Sequence, residues 1–157
     1  MSTARPDIAV IGGSGFYEFF TDATEVAVET PFGPPSEPPL VGQVAGRDVA
    51  FIPRHGRKHR LPPHRVNYRA NLWALRSIGV RQVIAPCAVG GLIATLRPGS
   101  LVVPDQIIDR TWGRDQTIYD QPRAVLHVGF ADPYCPAGRA TAVRAAADAG
   151  VAITDGG

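Results

Sequence analysis

Two cysteines, Cys87 and Cys135, are all that this chain of 157 residues holds. They are too few and too far apart for a disulfide framework or a metal site, so no metal is expected and Cys135 is expected to be a buried or half-buried thiol. Charge is sparse too: 19% of residues are charged and the formal net charge is +2. That balance is too small for a nucleic-acid binder driven by phosphate neutralisation. No apolar run approaches the ~20 residues of a membrane-spanning helix, and the first residues lack the charged-then-apolar order of a secretory signal. A cytoplasmic protein with no membrane or nucleic-acid partner is the expectation.

What the chain has in quantity is glycine, with 17 residues, and proline, with 15. Both cluster between apolar runs, which predicts long ordered connections of the kind enzymes use. Hydrophobic residues make up 45%, enough for one domain over residues 1–157 with a real core.

Ile8 to Ile11 is continuous, β-branched and bounded by glycine, and reads as a buried strand. Thr24 to Glu29 alternates and predicts an exposed strand. Thr30-Pro31-Phe32-Gly33-Pro34-Pro35-Ser36 must be a loop, because proline removes donors and fixes φ. Leu40 to Val44 and Asp48 to Ile52 flank Ala45-Gly46-Arg47 as a hairpin. Asn67 to Gly79 predicts an amphipathic helix capped by Asn67 and stopped by Gly79, with Leu72, Leu75 and Ile78 sharing a face with Tyr68. Val80 to Ala85 predicts the next buried strand, and strand, helix, strand signals a parallel pair. Arg97 to Ser100 reads as a turn, Leu101 to Val103 as a strand and Asp109 to Gln121 as a long loop. Pro136 to Gly150 predicts an alanine-rich helix, and Val151-Ala152-Ile153 opens a last strand. That strand runs into Gly156-Gly157 with no crossover after it, which predicts an interrupted fold.

Three of the buried runs stop at turns suited to an oxyanion. Ile8 to Ile11 enters Gly12-Gly13-Ser14-Gly15, Val49 to Ile52 enters Pro53-Arg54-His55-Gly56-Arg57-Lys58-His59, and Val83 to Ala85 enters Pro86-Cys87-Ala88-Val89-Gly90-Gly91. In open α/β sheets ligands gather beyond the carboxyl ends of the strands. Bare N–H groups and the Ser14 hydroxyl come from the first turn, a guanidinium able to clasp two oxygens from the second, and further N–H groups from the third.

Competing readings of these turns are weaker. A dinucleotide fingerprint needs a third glycine where Glu18 stands, and a P-loop needs a Gly-Lys-Ser/Thr that is absent. Arg57, Lys58 and Arg60 read as a solvated basic loop; His59 and His64 either orient it or are simply exposed. Cys87 as a nucleophile has no Cys-His-Asn pattern to support it. Asp105, Asp109 and Asp115 read as salt-bridge or capping residues.

Six ordered motifs carry a family resemblance: Ile11-Gly12-Gly13-Ser14-Gly15-Phe16-Tyr17, Thr30 to Ser36, Arg54 to His59, Val66 to Leu75, Cys87 to Gly91, and Asp105 to Thr111. In this order the chain resembles the purine nucleoside phosphorylase superfamily, and within it the 5′-methylthioadenosine phosphorylase branch, over the first three-fifths of a family member. The resemblance implies an α/β fold with a central mixed β-sheet flanked by helices, usually a homotrimer. It implies reversible phosphorolysis of 5′-methylthioadenosine to adenine and 5-methylthioribose 1-phosphate, with 5′-methylthioinosine or 6-oxopurine nucleosides as the alternative substrates. Inorganic phosphate would be the co-substrate and no cofactor would be required. Ser14, Arg54, His55, Cys87 and Ala88 match positions that contact phosphate, and His127 one near the 5′ pocket of a neighbouring subunit. Relatives commonly carry a hydroxyl or amide residue where Cys87 stands, and a thiol is a weaker donor.

The family's base-reading carboxylate, its ribose-contacting methionine and a further phosphate hydroxyl fall beyond Gly157. A truncated chain inactive in isolation is therefore expected. From a different class, a non-catalytic anion- or nucleoside-binding fragment is the alternative.

Overall fold

The computed structural model describes residues 5–16, 18–122 and 125–157; Tyr17 of the first motif lies outside them. The described residues form two compact units, Met1–Val89 with Arg114–Ile118, and Gly90–Gly113 with Tyr119–Gly157.

The first unit holds β1 (Ile8–Gly12), β2 (Ala23–Glu25), β3 (Leu40–Val44), β4 (Arg47–Pro53), α1 (Tyr68–Ser77) and β5 (Gln82–Ile84). Its sheet runs β2-β3-β4-β1-β5. β1 is parallel to both β4 and β5, while β3 is antiparallel to β2 and β4. The mixed sheet is the one expected from the sequence. Because side chains alternate along a strand, the continuous apolar runs of β1 and β4 supply two cores at once. Ala9, Ile11, Ala50 and Ile52 pack with Leu75 and Val80. Val10, Val49 and Phe51 point to the other face, against Phe16, Phe19, Phe20 and Leu40.

On this second face an aromatic segment does the covering. Phe51 stacks on Phe19 with centroids 5.7 Å apart and meets Phe16 edge-on at 5.8 Å, geometries that suit the ring quadrupoles. Gly42 makes the approach feasible, since a Cβ there would stand 2.7 Å from the Phe20 ring.

Three expectations are corrected here. β2 ends at Glu25, well short of Glu29; the facing Pro38 and Pro39 lack the N–H groups a longer ladder needs. α1 buries Ala70, Asn71, Ala74 and Leu75, leaving Leu72 and Trp73 exposed. Alanines allow close approach to the sheet, and Asn71 finds its polar partner in Ser36 of the proline-rich loop. β5 is exposed along its length; among the described residues it stands at the edge of the sheet, paired with β1 alone. The helix ends are as expected: Asn67 Oδ1 accepts from Ala70 N at 3.1 Å, and Gly79 has φ 111°.

The second unit holds β6 (Leu101–Val103), α2 (Pro136–Asp148) and β7 (Ile153–Asp155), with β6 and β7 parallel. Arg139 of α2 donates to Pro104 O at 2.8 Å and pairs with Asp155. β7 starts later than Val151, whose N–H still closes the helix on Ala146 O at 2.8 Å. Cys135 is exposed, which corrects the buried thiol. It sits at the head of α2, where Sγ accepts from Gly138 N at 3.4 Å. Among the described residues no helix is long and apolar enough to cross a membrane.

Candidate functional site

Register brings three strand ends to one edge of the first unit. Gly12 stands opposite Pro53, and Val10 opposite Ile84. Arg54 N then donates to Gly12 O at 2.8 Å, continuing the ladder one residue past the strand. The turns after β1, β4 and β5 therefore leave the sheet side by side.

Gly13 is where they meet. A Cβ at this position would lie 2.8 Å from Arg54 Nη2, 2.9 Å from Pro86 O and 3.4 Å from Cys87 Cα. Only a residue without a side chain lets the guanidinium and the third turn close on the first. Phe16 N donates to Gly13 O at 3.1 Å, so Ser14 and Gly15 form the tip of a tight turn, with the Ser14 side chain exposed. Cys87 and Ala88 are likewise exposed, in the segment after β5.

Arg54 is half-buried. Three other arginines of this unit are paired: Arg57 with Glu25, Arg60 with Glu37, and Arg69 with Asp115. Among the described residues Arg54 has no carboxylate partner. Its neighbour His55 is 6% exposed; Nδ1 donates to Leu61 O at 2.9 Å, and Arg54 Nε lies 3.5 Å from Nε2. The His59 ring stacks on His55 at 4.4 Å. Lys58 and His59 both hold positive φ, 59° and 54°, a pairing rare outside glycine and concentrated at functional loops.

The structure thus assembles Gly13, Arg54, His55 and the Pro86–Cys87 backbone, with Ser14 and Ala88 as next neighbours. His127 lies in the second unit and is exposed. Of the three aspartates, Asp115 forms the expected salt bridge, and the other two accept backbone N–H bonds in loops. Asp115 pairs with Arg69, Asp109 Oδ1 accepts from Thr111 N at 2.9 Å, and Asp105 Oδ1 accepts from Gly157 N at 3.2 Å.

Two residues escaped sequence reasoning. Ser36 and Asn71 are 1% and 2% exposed and bond one another directly beneath Arg54. Ser36 belongs to a proline-rich loop and Asn71 to a helix 35 positions later. Nothing local in either segment signals the pairing.

An uncompensated guanidinium, a hydroxyl and bare backbone on rigid strand ends have the chemistry that suits a small oxyanion. Comparisons with known proteins identify the family. A family model described as Phosphorylase superfamily matches residues 7–156. A purine nucleoside phosphorylase of Streptomyces coelicolor is 59% identical over 98% of this chain and 57% of its own length. An S-methyl-5′-thioadenosine phosphorylase of Mycolicibacterium smegmatis is 60% identical over 96% of this chain and 56% of its own. Among solved structures, a methylthioadenosine phosphorylase from Schistosoma mansoni in complex with adenine superposes with a TM-score of 0.84 at 39% identity, over 92% of this chain and 54% of that one. The chain spans about half the length of the curated relatives it matches.

Proposed function

The chain belongs to the phosphorylase superfamily, and from that premise we propose that the protein carries out phosphorolysis of 5′-methylthioadenosine. A phosphate oxygen attacks the anomeric carbon, the glycosidic C–N bond breaks, and the electron pair leaves with adenine, which takes up a proton. The sugar departs as 5-methylthioribose 1-phosphate. One observation carries this reading: Arg54, free of any carboxylate among the described residues, is held against the bare backbone of Gly13 and the Pro86–Cys87 turn.

Positive charge builds on the sugar in the transition state, so the dianion beside it is both nucleophile and counter-charge. Fixed N–H donors and a guanidinium hold such an anion without removing its lone pairs from the reaction. Ser14, Arg54, His55, Cys87 and Ala88 are assigned to the phosphate, and His127 to the 5′ pocket of a neighbouring subunit. The assignment takes residues 1–157 as part of one nucleoside phosphorylase domain, since a single family model spans both compact units. The protein is taken to be a cytoplasmic homotrimer that uses phosphate as co-substrate and needs no cofactor.

A second reading, phosphorolysis of 6-oxopurine nucleosides or 5′-methylthioinosine, is favoured by the Streptomyces relative's name. Base release by the purified gene product separates the two. Phosphate-dependent adenine release from 5′-methylthioadenosine, exceeding hypoxanthine release from inosine or 5′-methylthioinosine, is the expected result. Faster hypoxanthine release moves the assignment to the second reading, and no phosphate-dependent release from any of the three removes both.

A further inference from the structure

We propose that the buried Ser36–Asn71 pair is a positioning device for Arg54, acting on its main chain and never touching phosphate. The inference rests on the reading of Arg54 as a phosphate ligand.

β4 ends at Pro53, and past it the sheet supplies Arg54 with only one bond, from its N–H to Gly12 O at 2.8 Å. The Arg54 carbonyl is taken by Ser36, whose Oγ–H donates to it at 2.8 Å. Asn71 fixes that hydroxyl. Its Nδ2 donates to Ser36 Oγ at 3.0 Å, and its Oδ1 accepts from Ser36 N at 2.7 Å. A hydroxyl has one hydrogen, and with Asn71 donating to the oxygen that hydrogen is left for Arg54 O. Ser36 O in turn accepts from Arg60 Nη2 at 2.7 Å, and Arg60 Nε donates to Glu37 at 3.0 Å. Every polar group of Ser36 is therefore used.

Such a network adds little net stability, because each bond replaces one to water. What it adds is direction: with both N–H and C=O held, Arg54 cannot rotate about the strand end. A ligand on a rigid support loses less freedom on binding its anion. The pair also ties the 30–36 loop and α1 to the site.

The test uses the full gene product, with inorganic phosphate as the probe in calorimetric titration and KM measured for the nucleoside. Ser36→Ala removes the hydroxyl and is expected to weaken phosphate about fivefold, as loss of one ordinary hydrogen bond would, with nucleoside KM unchanged. In an Arg54→Ala background the same change is expected to have no further effect. Wild-type phosphate affinity in Ser36→Ala, or an undiminished effect in the absence of the Arg54 side chain, overturns the inference. Ser36→Cys keeps the shape with a weak donor; if Ser36→Ala does not fold, a phosphate loss in the cysteine variant supports the device and wild-type affinity sinks it. Should Arg54→Ala alone bind phosphate normally, the phosphate reading itself falls and the device with it.

Discussion

Gly13 and Arg54 stand so close that one added carbon on the glycine would lie 2.8 Å from the guanidinium. The two residues are 41 positions apart, and the parallel pairing of β1 with β4 puts them side by side. Their closeness makes the proposed anion seat a property of backbone packing as much as of charge.

Gly13→Ala follows from this directly. The arginine tip can swing aside, but Pro86 O, 2.9 Å from the added Cβ, belongs to the main chain and cannot move without shifting the third turn. Phosphate binding is expected to weaken roughly tenfold, equal to about 1.4 kcal/mol, and calorimetry on the purified protein measures it. Unaltered affinity would show that the turns do not share one anion.

Arg54→Ala and Arg54→Lys separate charge from shape. A guanidinium clasps two oxygens, whereas an ammonium is a point charge. Alanine is expected to cost about 2 kcal/mol of phosphate binding, in the range of a charge-assisted bond, and lysine to recover only part of it. Full recovery by lysine in phosphate-dependent kinetics would argue against a two-oxygen clasp.

Asn67→Ala should lower stability without changing phosphate affinity. Asn67 caps α1 through Ala70 N and donates to Phe32 O at 2.7 Å. Loss of the cap costs about 1 kcal/mol, and the loop tether adds to it; urea unfolding measures the sum. A variant as stable as the parent would show that the tether contributes nothing.

Cys87→Ser replaces a weak donor with a strong one at the exposed edge of the seat. Phosphate KM is expected to fall by about a factor of three, within the net worth of one neutral hydrogen bond. An unchanged KM would place the thiol away from the anion.

The strands, the hairpin and both helices were legible in the sequence because each is signalled locally, by β-branched runs, proline, glycine and capping residues. Leu72 was misassigned because apolar spacing does not reveal that small alanines and a buried asparagine make the better contact. β5 was misread because an apolar run looks the same in the middle of a sheet and at its edge. Ser36 and Asn71 were invisible for a related reason: polar residues far apart in the chain carry no mark that they will be buried together.

By itself, the order of residues determined which segments become strands, where they break, and that the breaks are rich in phosphate-seeking groups. Those are short-range matters of φ, hydrogen-bond supply and side-chain chemistry. Only the tertiary structure decided that Gly13, Arg54 and Pro86 share one small volume and that Ser36 grips Arg54 from below. Such closeness follows from strand register and packing, which depend on contacts between residues distant in the chain.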